Sequence, residues 1–411
     1  MDARPSTQPC RSCRQPELSI FLDLGQTPIA DRLLKEEQLP EVEPVFPLEV
    51  AFCSNCGMVQ ILETIAPEIL FSADYPYFSS FSDYLLVHSR ENVLDIIERR
   101  KLNSDSLVVE LASNDGYLLK NYVEKGIPVQ GIDPADGPAN AAEKAGVPTL
   151  NTFFTLDLAK QLKSEGMEAD VIHANNVLAH VADTNGFVEG ISTILASDGV
   201  AVIEAPYCKE LIDHLEFDTI YHQHLLYLTV TALDYLFRSH NLYINEIKQF
   251  ALHGGSLRLY VEKRENVGKS VTDLLAIEKQ EGIDTLSYYM DFSRRVNEFK
   301  LSLQTLLSEL KSAGKSIAGY GAAAKGCTMI NYVGINEDTI DFIADKNHHK
   351  QGLYMSGTRI PIVDPVRILE TMPDYVLIFP WNVSEEILKQ QAEYREKGGK
   401  FIIPIPEPTI V

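Results

Sequence analysis

"DSLVVELASNDGYLLKNYVEKGIPVQGIDPA", residues 105–135, decides the architecture. An apolar run ending at Leu111 reads as a buried strand, and Asn114, Asp115 and Gly116 make a tight polar loop. A helix follows, then a second strand ending at Asp133. This is the opening of a Rossmann-like βαβ unit. Further strands follow in step, "ADVIHANNVLAHV" (169–181) and "GVAVIEAPY" (199–207). Open parallel sheets bind ligands beyond the carboxyl ends of their strands, which puts Asn175, Asn176 and His180 on the rim beside the first loop.

The loop separates two ligand classes. A dinucleotide site uses glycines so that backbone N–H groups approach a pyrophosphate, whereas this loop carries Asp115, with Glu110 at the end of the strand before it. Carboxylates repel a pyrophosphate. S-adenosylmethionine carries a positive sulfonium and ribose hydroxyls that Asp133 can accept hydrogen bonds from, so the loop suits a methyl donor better than NAD. An isolated "NDG" whose acids merely cap and solvate a turn is the plainer reading, and the strands continuing in register weigh against it.

Composition bounds the rest. The chain has 411 residues, enough for two or three domains, with 45% hydrophobic and 23% charged residues, as in a globular protein with sizeable cores. Its apolar runs are far shorter than the roughly 20 residues of a membrane helix. The N-terminus "MDARPSTQPC" has no secretory apolar region, so a cytoplasmic protein is expected, with no membrane partner. Lys and Arg number 36 against 58 Asp and Glu, a net charge of −22. That field repels nucleic acid over most of the surface, while a few local donors still hold a small phosphorylated ligand.

Six cysteines include two C-x-x-C pairs, Cys10 with Cys13 and Cys53 with Cys56. In a reducing compartment such pairs favour a closed tetrahedral zinc site over disulfides. The stretch between the pairs exceeds a usual zinc-ribbon spacing, so a strand or loop is inserted, and "PVFPLEVAFCSNCGMVQI" supplies a returning strand. Four thiolates leave no open position, so this zinc is structural. Its removal is expected to unfold a small module and spare the rest. Cys208 and Cys327 are read as small buried residues.

Beyond residue 250, residues 272–314 are amphipathic and helical, and "KSIAGYGAAAKGCTMINYVG" reads as strand, Gly-rich turn and helix. Gly319, Gly321 and Ala324 nearly match a G-x-G-x-x-G/A fingerprint, with Asp345 at ribose distance in sequence. On motifs alone, an NAD(P)-dependent oxidoreductase is the alternative function. "HGGSLR" (253–258) is either a substrate loop or a ligand-free β-turn, and "FPWN" (379–382) either lines a nucleotide pocket or caps a sheet. In "YHQH" (221–224), His222 and His224 are too isolated for a metal pair; core packing or acid/base work remain.

Taken together, the cysteine pairs, "YPYFSSFSD" (75–83), "LASNDGYLL" (111–119), "ANNVLAHV" (174–181), "FDTIYHQHLLYL" (217–228), "HGGSLR" and "GYGAAAKG" (319–326) resemble the C-methyltransferases of nucleotide-diphosphate keto sugars over nearly the whole chain. The resemblance implies an α/β chain: a small zinc-binding module (residues 1–70, ligands Cys10, Cys13, Cys53 and Cys56), a central Rossmann-like methyltransferase domain (71–250), and a C-terminal Rossmann-like α/β domain (251–411) that helps bind the nucleotide-sugar. It implies S-adenosylmethionine at Glu110, Ser113, Asn114, Asp115, Gly116, Asp133, Pro134, Asn175 and Asn176, with Ser79 and Ser80. His224 resembles the base that deprotonates the sugar next to its 4-ketone. Tyr221, His180, Gln223, Tyr75 and Tyr77 line the same site. Substrate contacts fall to His222, His253, Gly254, Gly255, Ser256, Arg258, Lys325, Trp381 and Asn382. The family usually has Glu where this chain has Gln223, and an amide cannot shuttle a proton as a carboxylate does. Sugar, nucleotide and oligomeric state stay open, a monomer being plausible.

Overall fold

The computed structural model describes residues 3–16, 18–70, 78–251 and 254–411, except the side chain of Glu68. Three sheets organise them. The first is antiparallel throughout, in the order Arg4–Ser6, Leu18–Thr27, Phe46–Cys53, Val59–Ile61 and Leu226–Tyr227. Its last strand comes from the centre of the chain, directly after "YHQH". The expected returning strand is Phe46–Cys53, and the tight turn after it delivers Cys56.

The second sheet has seven strands in the order Tyr243–Phe250, Ser256–Glu262, Leu195–Pro206, Ala169–Asn175, Val108–Leu111, Val129–Ile132 and Thr149–Leu150. The five from Leu195–Pro206 onward are parallel, as the βαβ reading requires, and Ser256–Glu262 runs antiparallel between Leu195–Pro206 and Tyr243–Phe250. Val108–Leu111 is buried at every position, which is why its sequence does not alternate and is apolar except at Glu110. Ser256–Glu262, which lies just beyond the boundary expected near 250, sits inside the central sheet and is buried on both faces.

The third sheet is built from Ile362–Val363, Ile343–Ala344, Ile317–Tyr320, Tyr375–Ile378, Lys400–Ile403 and Thr409–Ile410, parallel except for the last strand. The helical stretch expected over 272–314 is two helices, Lys269–Glu281 and Leu286–Ser312, separated where Gly282 ends the first in a left-handed conformation at φ +75°. Among the described residues, no helix is long and apolar enough to cross a membrane.

The sulfurs of Cys10, Cys13, Cys53 and Cys56 lie within 4.8 Å of one another. Cys10 faces Cys56, and Cys13 faces Cys53, each at 3.5 Å. A disulfide needs about 2.05 Å, while a tetrahedron with Zn–S bonds of about 2.3 Å has edges of about 3.8 Å. Four largely buried thiolates also need a cation to neutralise them, so the donor set and its geometry both fit zinc.

Because Val59–Ile61, just after Cys56, pairs with Leu226–Tyr227, the module does not end at its own sequence. Chelation is expected to release the amides of Val59–Ile61 and Leu226–Tyr227 together in hydrogen exchange, while Val108–Leu111 and Ile317–Tyr320 stay protected. Continued protection of Leu226–Tyr227 in the metal-free protein would show that the module unfolds alone.

Candidate functional site

The loop after Val108–Leu111 adopts the conformation its residues allow. Ala112 and Asn114 take left-handed backbone angles (φ +57° and +49°), and Gly116 follows at +75°. A Cβ on Gly116 would lie 2.9 Å from a Val147 methyl, so glycine is needed there for both angle and space. Asn114 N–H donates to Asp133 Oδ2 at 2.8 Å, which ties the first loop to the end of Val129–Ile132, and Ala135 N–H donates to Asp133 Oδ1 at 2.9 Å. Pro134 lies between these two donor positions. From outside, the turn Ser79–Phe81 closes on the loop, with Ser79 N–H donating to Asn114 Oδ1 (2.8 Å) and Ser80 N–H to Asp115 Oδ2 (3.2 Å). The expected methyl-donor residues are thus brought to one end of the sheet.

This end is crowded with acid and short of donors. Burial pushes the Glu110 carboxyl well up, and Asp133, Asp115 and Glu204 add to the rise. Burial also raises Asp133, against its two N–H bonds. Glu110 Oε2, Ser113 Oγ, Asp115 Oδ1, Asn175 Oδ1 and Asn176 Oδ1 are buried with no hydrogen-bond partner. Orphaned buried acceptors are rare in folded proteins and mark places where a ligand supplies the donors. A cationic ligand with hydroxyl and ammonium groups fits this inventory, and a pyrophosphate does not.

Beside it, Glu204 forms a buried ion cluster that the sequence does not announce. Arg258 Nε donates to Glu204 Oε1 at 2.5 Å, and His88 Nε2 lies 2.9 Å from Glu204 Oε2 and 3.0 Å from Arg258 Nη2. Burial alone would raise Glu204, yet His88 and Arg258 hold it below the ordinary carboxylate range. Arg258, expected to contact substrate, is therefore spent on Glu204 inside the central sheet. Its neighbours in "HGGSLR" are also structural. Ser256 is buried in the strand, and Gly254 and Gly255, at φ +87° and +128°, leave room for the carboxylate of Glu216 and the side chain of Glu210. His253, Tyr75 and Tyr77 lie outside the described residues.

Across the rim, His180, Tyr221 and His224 come together. The His224 ring lies 4.1 Å from that of Tyr221 and 4.9 Å, edge-on, from that of His180. His224 Nδ1 is 2.8 Å from the Thr219 carbonyl, and His180 Nδ1 is 2.7 Å from the Gln223 carbonyl. A carbonyl only accepts, so each Nδ1 carries hydrogen and the basic lone pair of each neutral ring sits on Nε2. Burial holds His180 below its ordinary value, against the pull of the Gln223 and Asn176 carbonyls, which keeps it neutral. His222 points the other way. It is buried against Phe46, with Nε2 at 3.2 Å from the Pro47 carbonyl, so it joins the N-terminal module rather than the substrate site. Gln223 is buried, and its Oε1 has no partner.

The C-terminal domain adds a third group of residues. Lys325 Nζ donates to Asn382 Oδ1 (2.8 Å) and lies 4.8 Å over the Trp381 ring, whose Nε1–H donates to Asp218 Oδ2 at 2.8 Å. The structure thus clusters the three expected nucleotide-sugar residues and adds Glu216 and Asp218, which the sequence reading missed. Both stand in "EFDTIYHQH", immediately before the histidines, and only the contact with the other domain reveals them. Burial raises Glu216 to about 7 and Asp218 to about 6, each against the attraction of Lys325.

Comparison with known proteins gives a consistent assignment. Residues 10–71 match a family described as "Putative zinc binding domain", residues 86–247 a methyltransferase domain, and residues 251–406 a C-methyltransferase C-terminal domain. The chain is similar to C-methyltransferase NovU of Streptomyces niveus, 33% identical over 405 residues, covering 98% of this chain and 96% of that protein. The magnesium protoporphyrin IX methyltransferase of Synechocystis PCC 6803 with bound S-adenosylmethionine matches 44% of this chain and 82% of its own, at 12% identity and TM-score 0.34. A TehB-like methyltransferase of Corynebacterium glutamicum matches 43% and 88%, at 15% identity and TM-score 0.32. At these TM-scores the two structural likenesses carry no argument. The oxidoreductase alternative fails, since the region of its fingerprint matches a C-methyltransferase domain.

Two outcomes follow from the buried charges. Arg258→Met should destabilise the fold by about 3–5 kcal/mol in urea unfolding, because it leaves Glu204 buried without its cation; a loss below about 1 kcal/mol would mean that Glu204 does not depend on Arg258. Between the ordinary carboxylate range and about 7, the folded protein holds a proton on Glu216 that the unfolded chain has lost, so this residue makes stability fall as pH rises through that window. Glu216→Gln should therefore raise Tm by about 1–3 °C at pH 8 and leave it unchanged at pH 4. An equal Tm difference at both pH values would show that Glu216 does not titrate this way.

Proposed function

Because this chain belongs to the S-adenosylmethionine-dependent C-methyltransferase family, we propose that it methylates a carbon next to the 4-ketone of a nucleotide-diphosphate deoxysugar, with His224 as the base. The observation that carries this reading is the Nδ1–H bond from His224 to the Thr219 carbonyl, which leaves Nε2 as the proton acceptor beside Tyr221 and His180. A neutral imidazole suits removal of a proton that a ketone has acidified.

The bound methyl donor supplies an electrophilic methyl group on a sulfonium. His224 Nε2 takes the proton from the carbon next to the ketone, and the C–H electron pair becomes the enolate. The Tyr221 hydroxyl is a donor able to stabilise the enolate oxygen more than the ketone. The carbon then forms its bond to the methyl as the C–S bond breaks, leaving S-adenosylhomocysteine and the methylated ketone. The acid-rich end of the sheet (Glu110, Asp115, Asp133) holds the cationic donor, and this charge makes a second reading with a phosphate there unfavourable.

The sugar would lie between the central and C-terminal domains, with Lys325 near the diphosphate and Trp381 and Asn382 lining the nucleotide. Gln223 is a specificity element. Its buried, unpartnered Oε1 accepts a hydrogen bond from a sugar hydroxyl or amine, where a carboxylate would favour a charged amine more strongly.

His224→Ala should lose at least 100-fold in kcat while binding S-adenosylmethionine with an unchanged Kd. The assay is mass spectrometry of thymidine- and guanosine-diphosphate 4-keto sugars incubated with methyl-deuterated donor, where a gain of the intact labelled methyl on carbon is the expected result. Wild-type activity in the variant removes His224 as base. Label on oxygen or nitrogen removes the carbanion mechanism.

A further inference from the structure

The turn that orients His224 packs against the C-terminal domain on the side away from the central sheet's helix Cys208–Asp213. Phe217–Thr219 is a single 3-10 turn, and its own backbone bonds, Thr219 N–H to the Glu216 carbonyl and Ile220 N–H to the Phe217 carbonyl, span one turn only. Such short turns do not hold their shape alone. The Phe217 ring packs against Phe299 of Leu286–Ser312 (5.1 Å) and Tyr332 of Ala324–Val333 (5.5 Å). On one side of Thr219, the buried Asp218 carboxylate accepts the Trp381 Nε1–H at 2.8 Å. On the other, the Thr328 hydroxyl donates to the Ile220 carbonyl at 3.0 Å. The Thr219 carbonyl, which receives the His224 Nδ1–H, sits between these two anchors.

We infer that Trp381, Asp218 and Thr328 form a positioning link through which docking of the C-terminal domain sets the orientation and tautomer of His224. The inference rests on the reading of His224 as the base, and it adds that the base is assembled only when the C-terminal domain is seated. All three are positioning residues here: Asp218 and Thr328 act through the turn that carries the Thr219 carbonyl, and Trp381, which would also line the nucleotide, acts on it through its indole N–H. Lys325 belongs to the link indirectly: it holds Asn382 and stacks on the Trp381 ring, so a ligand that engages Lys325 reaches the indole that grips Asp218. Uniform rigidity of the site does not require this arrangement. A base carried by the central domain could have been oriented by that domain alone, as His180 is by the Gln223 carbonyl.

The test reads His224 directly. The full chain is labelled with [15N]histidine, and the His224 ring nitrogens are assigned by their loss in His224→Gln. The wild type is expected to show a single Nδ1–H tautomer. Trp381→Phe keeps an aromatic ring and removes the donor; it should move the His224 signals toward those of an exchanging imidazole and lower kcat roughly tenfold, with the S-adenosylmethionine Kd within about twofold. Thr328→Val should do the same from the other anchor. Asp218→Asn keeps an acceptor for the indole and should keep the wild-type tautomer. Unchanged His224 signals in both Trp381→Phe and Thr328→Val overturn the link. The spectra do not depend on turnover, so full activity in His224→Ala would remove the base reading and leave the link standing.

Discussion

The segment 217–228 is held from three directions, and the site depends on that constraint. The zinc-binding module takes Leu226–Tyr227 into its sheet, and the Leu225 carbonyl accepts the Ile61 N–H. The central domain supplies the Ala179 carbonyl to Leu225 N–H and receives the Cys208 N–H at the Leu228 carbonyl. The C-terminal domain holds Asp218 and Ile220. A loop this irregular has few hydrogen bonds of its own, so its conformation is the sum of what its neighbours impose. His224 takes its orientation from this held backbone, through the bond to the Thr219 carbonyl.

Electrostatics gives the central domain its second constraint. Glu110, Asp115, Asp133 and Glu204 share one end of a sheet, in surroundings where burial opposes charge on Glu110, Asp133 and Glu204. The fold neutralises one of them internally, with Arg258 and His88 around Glu204. An internal ion cluster of this kind adds little net stability compared with apolar packing, but losing one partner is costly, which fixes the relation between Ser256–Glu262, Leu195–Pro206 and the helix Asp83–Arg100. That helix follows the turn that closes on the methyl-donor loop, so the cluster also braces the lip of the site.

Much of this was legible before any coordinates. The apolar run before Glu110, the polar loop at Asn114 and Asp115 and the acid at Asp133 carry the βαβ unit and the character of its ligand, because strand burial and loop chemistry are local properties. The cysteine pairs are legible for the same reason, since sulfur chemistry and spacing limit what they can do. The partners of Arg258 and His222 were not legible. In sequence an arginine after two glycines and a histidine beside a base look like ligands for substrate. Their partners, Glu204 and the Pro47 carbonyl, lie far away in the chain. Glu216 and Asp218 drew no reading of their own, and only Gly254 and Trp381 packed against them single them out.

The sequence by itself determined the fold class, the four clustered cysteines, the acidic loops at one end of the central sheet and the histidines of "YHQH" as candidates for chemistry. Periodicity, turn residues and the chemistry of single side chains suffice for these. Tertiary structure alone decided which histidines lie together, which carboxylates are buried beside one another and which carbonyl receives the His224 Nδ1–H. Each of these is set by hydrogen bonds and burial between segments brought together from different sheets, and no local pattern encodes such distances.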